Sequence, residues 1–453
     1  MKRVSIKPNA RLIQLFCLPL ILAFAQSFLQ MVPADQNWAL TLIDGLNQLW
    51  PVLITAFIIV AAYEYISARK EPALRFERQC QDTVSLHRWA NMSIKVNHQF
   101  DTPVTLKLKD LTPESLEVNE AELICQLEPD NFTTLEYQLR PNQRGDAIIA
   151  GLELVKSSPL ALWQTVWRAD STVTLKVYPD FKAISGYQLL ATDNQVSQLG
   201  IKRNQKRGEG MEFHQLREYQ RGDTSRQIDW KATARKQKII SRDYQDERDQ
   251  QIVVLLDNGR RMRSEDNQLG HLDHSVNAMA LLSHIALKQG DAVGLMSFGA
   301  DQRWLPCKKG SAHINNILNH VYDLQPDTHA TDYSGAAQKL LALQRKRSLV
   351  ILITNTRDED IEDLMPAIKL VSKNHLIMLA NIREPILQQT LEQPVDNIEQ
   401  VYRYCGTIDY LGRRKEVKQR LSDAGVFIVD SHPEHLAIDV CNSYLEIKSS
   451  GYL

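Results

Sequence analysis

The segment from Glu209 to Arg235 crowds arginines, carboxylates and aromatics into one short span. Arg217, Arg226 and Arg235 stand among Glu218, Asp223 and Asp229, a set able to form bidentate guanidinium–carboxylate pairs that hold a loop rigid. Tyr219 and Trp230 add an apolar anchor, and Gly222-Asp223 is a turn signal. The cluster reads first as an internal latch between two parts of the chain. A docking surface for a protein partner is the next reading, and a catalytic role the last.

A second chemical candidate follows. Gln251-Ile-Val-Val-Leu-Leu-Asp257 is a buried-strand pattern that ends on a carboxylate. In doubly wound α/β domains, ligands sit at the carboxyl ends of the strands. Asp257, Arg261 in the loop behind it, Thr331 in Ala330-Thr-Asp-Tyr-Ser334, and Asn355 after Leu352-Ile-Thr354 are therefore the residues to watch.

The two segments together resemble a bacterial family of unnamed proteins, domain-of-unknown-function family number 58, whose members carry a von Willebrand factor A-like domain. The matching positions are Glu212-Phe213, Leu216-Arg217-Glu218-Tyr219, Gly222-Asp223, Arg226, Ile228-Asp229-Trp230 and Ala234-Arg235, with Tyr444-Leu-Glu-Ile-Lys448 near the end. The resemblance runs from about Glu209 to the C-terminus. It implies a cation site built from an Asp-x-Ser-x-Ser loop, a threonine and a second aspartate. Here the loop is Asp257-Asn-Gly259-Arg-Arg261, so both serines are lost; Thr331 takes the threonine position and Asn355 replaces the aspartate. Mg²⁺ prefers several oxygens, carboxylates above all. A guanidinium about 4 Å from a divalent ion would cost roughly 8 kcal/mol at an effective dielectric of about 20. The expectation is a degenerate site in which Arg261 pairs with Asp257 and stands where the cation would be, with no cofactor; Mg²⁺ on Asp257, Thr331 and Asn355 is the alternative.

These residues need elements to carry them. From about Gln251 the pattern alternates strands (Gln251–Leu256, Ala292–Phe298, Leu349–Thr354, His375–Asn381, Val426–Val429) with amphipathic stretches (His274–Lys288, Gly335–Gln344, Asp360–Ser372). Nearly continuous apolar strands with helical crossovers predict a parallel sheet covered on both faces. Leu436–Lys448 reads as a closing helix. Residues 71–190 read as an antiparallel β-sandwich, from period-two runs such as Ser93–Asn97, Val104–Leu108, Ala121–Leu127, Leu135–Leu139 and Thr172–Tyr178. The α/β domain, with the signature segment before it, takes 191–453.

Residues 1–70 differ from everything after them. The apolar run at about 12–32 reaches the roughly twenty residues that cross a bilayer core of about 30 Å, while that at about 49–66 is marginal, with Glu64 near its end; a cleaved signal peptide is the rival reading of the first. Lys2, Arg3, Lys7 and Arg11 precede the first run, and Arg69, Lys70, Arg75 and Arg78 follow the second; the loop between has no lysine or arginine. Positive-inside logic makes this a transmembrane helical hairpin with both termini and the soluble domains in the cytosol of a bacterial inner membrane. The whole-chain charge of −1 gives no field for nucleic acid. Six scattered cysteines fit a reducing compartment. His271 and His274 read as surface or capping residues, and Arg345-Lys-Arg347 and Arg413-Arg-Lys415 as solvated helix ends.

The expected protein is a multi-domain membrane protein: hairpin anchor, β-sandwich, von Willebrand A-like domain. Proteins it resembles work with MoxR-type AAA+ ATPases and other von Willebrand A-like proteins, in chaperone-like assembly or envelope stress. By that resemblance the chain is a non-enzymatic adaptor whose partner surface comprises Asp257, Arg261, Thr331, Asn355 and the residues Arg217, Glu218, Tyr219, Asp223, Arg226, Trp230 and Arg235. Two other classes stay open: a metal-dependent protein-binding module, and an envelope-related hydrolase. Walker, zinc-peptidase and nucleophile-elbow motifs are absent from the sequence.

Overall fold

The computed structural model describes residues 1–29, 37–98, 100, 103–129, 132–180, 212–220, 225–245, 250–266 and 269–452. Two compact units emerge, Met1–Val177 and Tyr178–Leu453.

In the first unit, β1 (Lys2–Pro8) leads into helices α1 (Ala10–Leu29) and α2 (Asn37–Ala68). Nine further strands follow: β2 (Leu74–Gln79), β3 (Thr83–Ser85), β4 (Ala90–His98), β5 (Val104–Asp110), β6 (Leu116–Val118), β7 (Leu123–Leu127), β8 (Phe132–Pro141), β9 (Gly145–Ser157) and β10 (Trp163–Tyr178). They form two antiparallel sheets, β1-β10-β9-β5-β7 with β3 also on β10, and β2-β4-β8-β6. Alternation explains both: Met92, Ile94 and Val96 of β4, Leu106 and Leu108 of β5, and Leu123, Cys125 and Leu127 of β7 are buried while their neighbours face water. A buried polar cluster joins the sheets. Arg78 of β2 and Tyr137 of β8 both donate to the Asp110 carboxylate at the end of β5, and Arg78 also donates to the Ser171 carbonyl in β10. Arg78 therefore belongs to the sandwich interior rather than to the basic flank of the apolar run.

Within α2, Trp50–Ala68 is long and apolar enough to cross a membrane; the apolar part described in α1 is shorter, Ala10–Ile21. The end of α2 is tied to the sandwich. Trp163 Nε1 donates to the Ala61 carbonyl at 3.0 Å, Thr165 Oγ1 to Ala68 at 2.9 Å, and the Leu160 amide to Glu64 Oε2 at 3.1 Å. Glu64, the one acid in this apolar run, is thus buried against protein. β1 was not foreseen. It pairs with β10 ahead of α1, so the chain enters and leaves the helical pair from the same sandwich.

The second unit opens with a small module, β11 (Glu212–Glu218), α3 (Trp230–Lys236) and β12 (Ile240–Gln245). Then come β13 (Gln251–Asp257), the hairpin β14 (Glu265–Asp266) and β15 (Leu269–Gly270), α4 (His271–Lys288), β16 (Ala292–Phe298), β17 (Trp304–Lys308), α5 (His313–Val321), α6 (Tyr333–Leu343), β18 (Leu349–Thr354), α7 (Ile361–Val371), β19 (Leu376–Ile382), α8 (Pro385–Glu392), α9 (Ile398–Asp423), β20 (Phe427–Ser431) and α10 (Leu436–Ser449). The sheet order is β17-β16-β13-β18-β19-β20, parallel except for antiparallel β17 at one edge.

Alternate residues of β13 point to opposite cores. Ile252, Val254 and Leu256 pack with α4 and α10; Val253 and Leu255 pack with α6 and α7. Both faces being apolar, the strand reads as an unbroken hydrophobic run. Strand and helix positions follow the sequence closely here. The edge strand β17 and the α8–α9 excursion were not anticipated. The Tyr444–Lys448 motif lies in α10, where Tyr444 is fully buried. Its hydroxyl and Lys448 Nζ both donate to Asp291, the buried acid in the turn after α4. That motif is a clamp holding the last helix to the sheet.

Candidate functional site at the carboxyl edge of the sheet

Strands β13, β18, β19 and β20 each deliver a polar residue at or near their carboxyl ends to one rim. Asp257 ends β13 and is completely buried. Its Oδ1 accepts from the Gly259 amide at 2.8 Å and from Thr331 Oγ1 at 3.0 Å; its Oδ2 accepts from Thr354 Oγ1 at 2.6 Å. Burial pushes its carboxyl above the usual range, opposed by these hydrogen bonds. Gly259 is needed for the arrangement: a Cβ there would lie 2.4 Å from Thr331 Oγ1 and 3.2 Å from Asp257 Oδ1. The absence of a side chain at Gly259 thus lets the threonine reach the carboxylate directly.

Arg261 does not pair with Asp257. Its Nη2 reaches Glu359 Oε2 at 2.9 Å and Asp360 Oδ1 at 3.2 Å, ahead of α7. Two carboxylates at that helix entry offer more favourable charge than one buried carboxylate that already accepts from an amide and two hydroxyls. Asn355 is buried but its side chain leaves the Asp257 cluster. Its Nδ2 lies 3.3 Å from His271 Nδ1 and 3.2 Å from Glu384 Oε1, and its Oδ1 has no hydrogen-bond partner. His271 is buried at the start of α4, with Nε2 2.6 Å from Asp266 Oδ2. The surface reading of His271 is therefore corrected: it is an interior, carboxylate-paired histidine. His274 is buried as well, which lowers its pKa.

The rim continues through Arg357, whose Nη2 donates to Glu384 Oε1 at 2.9 Å, and Asn381, whose Oδ1 accepts from the Thr356 amide at 2.8 Å. At β20, Asp430 accepts from Arg414 at 2.8 Å and from Arg383 at 3.2 Å. Arg414 sits inside α9 and is buried, not the solvated helix end expected of Arg413–Lys415. Among the described residues, no three or more His, Cys, Asp or Glu side chains are grouped to hold a metal ion.

The signature segment pairs with the residues that follow it. β11 and β12 pair antiparallel from Glu212–Gln245 to Glu218–Ile240. Asp229 caps α3 through the Lys231 and Ala232 amides, each at 3.0 Å, and pairs with Arg242 Nε at 3.0 Å. Those amide bonds, then Arg242, hold its carboxyl below the usual range. Glu218 pairs with Lys238 at 3.0 Å, and Arg217 Nη1 donates to the Glu218 carbonyl at 3.4 Å. The partners of both acids thus come from beyond the segment, and sequence reading had placed them within it. Trp230 is 69 % exposed, Tyr219 37 %, and Arg235 lies exposed in the last turn of α3. The two aromatics are therefore on the surface. Asp223 lies outside the described residues, as does the Arg226 side chain.

Sequence reading missed Thr354, Arg357, Glu384 and Arg414. Thr354 had a signal, as the one hydroxyl closing an apolar strand; the others come from loop and helix positions that only folding unites.

Residues 215–392 match a family described as a protein of unknown function, DUF58. An uncharacterized protein of Bacillus subtilis (strain 168), YeaD, is 24% identical over 248 residues, covering 53% of this chain and 60% of that protein. The match thus spans less than two thirds of the relative's length. Among solved structures, the CARDB domain of the PF1109 protein from Pyrococcus furiosus is similar over 23% of this chain and 88% of its own, with 17% identity and a TM-score of 0.17. Proximal thread matrix protein 1 from the mussel byssus is similar over 44% of this chain and 47% of its own, with 12% identity and a TM-score of 0.24.

Proposed function

We propose that this protein is a membrane-anchored, non-enzymatic adaptor whose α/β unit is von Willebrand A-like and whose carboxyl-edge rim receives a protein partner. The observation that carries this is the Asp257 cluster. A carboxylate at the end of the first parallel strand is met by one amide and two hydroxyls, leaving no activated nucleophile and no open base beside it. The remaining rim is a belt of Arg–carboxylate pairs, suited to charge-complementary docking. Strand order supports the von Willebrand A-like assignment, with the first strand central and the third antiparallel at one edge.

The cation site is read as replaced by hydrogen bonds, with Thr331 and Thr354 hydroxyls on the oxygens a cation would need. A metal-dependent binding module is the second reading, favoured by the orphaned Asn355 Oδ1. The helical pair is proposed as a hairpin in a bacterial inner membrane, with both termini and soluble domains cytosolic. That both of its ends join one sandwich supports the proposal. A MoxR-type AAA+ ATPase is proposed as partner from the family resemblance.

Crosslinking in cells, followed by pull-down from native membranes, tests this with wild type, Asp257→Ala and Arg217→Ala. An AAA+ ATPase recovered with wild type and lost with either variant is the expected result. No ATPase in any sample would sink the partnership.

A further inference from the structure

Toward β20 the rim has buried guanidinium N–H groups without hydrogen-bond partners. A small cleft opens beside the ends of β18, β19 and β20 against α9, lined by Arg357, Asp358, Asn381, Arg414, Lys418 and Asp430. Arg414 is 8% exposed; its Nη2 bonds to the Ile382 carbonyl and Asp430, and the Tyr410 hydroxyl lies beside its guanidinium. Its Nε and Nη1 are buried without a hydrogen-bond partner, as is Nε of Arg357. A buried guanidinium with unmet N–H groups is costly, and an oxyanion is the ligand that satisfies it. The carboxylates nearby are already committed. Asp430 is shared by Arg414 and Arg383, Glu384 is held by Arg357, and Asp358 faces Arg413 at 3.4 Å. Exposed Lys418 at the mouth adds a mobile positive charge.

We infer that this cleft binds a phosphate group, with Arg414 and Arg357 as donors and Lys418 closing over the anion. Arg357 and Arg414 also belong to the proposed docking rim, but the binding of phosphate is tested here without any partner protein.

The test uses the full chain in nanodiscs of neutral lipid, titrated with inorganic phosphate and separately with a phosphoserine peptide, while the melting temperature is followed. Phosphate should raise it saturably, and sodium chloride at equal ionic strength should not. Lys418→Ala should weaken phosphate binding about tenfold, the scale of one charge-assisted hydrogen bond. Arg357→Met should do at least as much. Arg414→Met also loses the Ile382 and Asp430 bonds, so the exposed Lys418 variant is the deciding one if that protein does not fold. A peptide that binds tenfold tighter than phosphate assigns the site to a phosphorylated side chain; equal or weaker binding assigns it to free phosphate. Equal shifts with chloride, or shifts that neither Lys418→Ala nor Arg357→Met changes, would overturn the inference.

Discussion

Thr354 donates its hydroxyl to Asp257 Oδ2 at 2.6 Å, between the ends of two adjacent parallel strands. With Thr331 on the other oxygen, the carboxylate at the centre of the rim is gripped from two sides. The pair ties the acid into a hydrogen-bonded cluster at the centre of the rim.

Asp257 should make stability depend on pH. Burial, the largest influence, raises its folded-state pKa above the unfolded value of about 4. The folded protein therefore holds the proton longer. This contribution to stability is present below about pH 4 and is lost as pH rises through the folded value. Asp257→Asn carries no charge, so its stability relative to wild type should improve from pH 4 to pH 7. Urea midpoints of the full chain in detergent at both pH values would show this, and a difference independent of pH would contradict it.

Gly259→Ala should drive Thr331 off the carboxylate, because the added Cβ lies 2.4 Å from its hydroxyl. The expected loss is about 1–3 kcal/mol. Thr331→Ala removes the obstructing atom, so the double variant should lose at least about 0.5 kcal/mol less than the sum of the single losses. Strict additivity in denaturant titrations would rule out the proposed contact.

Magnesium should not stabilise the protein. A cation present at 100 times its dissociation constant would add about 2.7 kcal/mol, an easily measured rise in melting temperature. With Asp257 already satisfied, melting with millimolar Mg²⁺ and with a chelator should coincide. A rise of several degrees would restore the metal-dependent reading.

Arg78→Met should destabilise the first unit by about 3–5 kcal/mol, since Asp110 would be left a buried carboxylate with only Tyr137 as its named donor. Adding Asp110→Asn should recover part of that loss. Calorimetry of the single and double variants decides, and a loss under about 1 kcal/mol would mean the pair is not buried in solution.

Much of the fold was legible because its signals are local. Period-two alternation located β4, β5 and β7, and unbroken apolar runs located β13, β16 and β18. The site was legible only in part. Asp257 and Thr331 were found and do meet, whereas Arg261 and Asn355 were found but turn to Glu359, Asp360 and Glu384 instead. A side chain long enough to choose among several partners goes to the best charge within reach, and spacing along the chain does not encode that choice. The signature acids illustrate the same point, since Asp229 and Glu218 take Arg242 and Lys238 from β12 and the turn before it.

The sequence by itself determined the parallel strands of the second unit, the presence of apolar runs near the N-terminus, and which carboxylate ends the first parallel strand. Those properties depend on residues a few positions apart. Only the tertiary structure decided that β1 joins the sandwich, that Glu64 and Arg78 are buried against protein, and that Arg414 reaches the rim from a distant helix. Each of those outcomes is a long-range pairing. Its energy comes from burial and charge that exist only once the sheets and helices have closed around it.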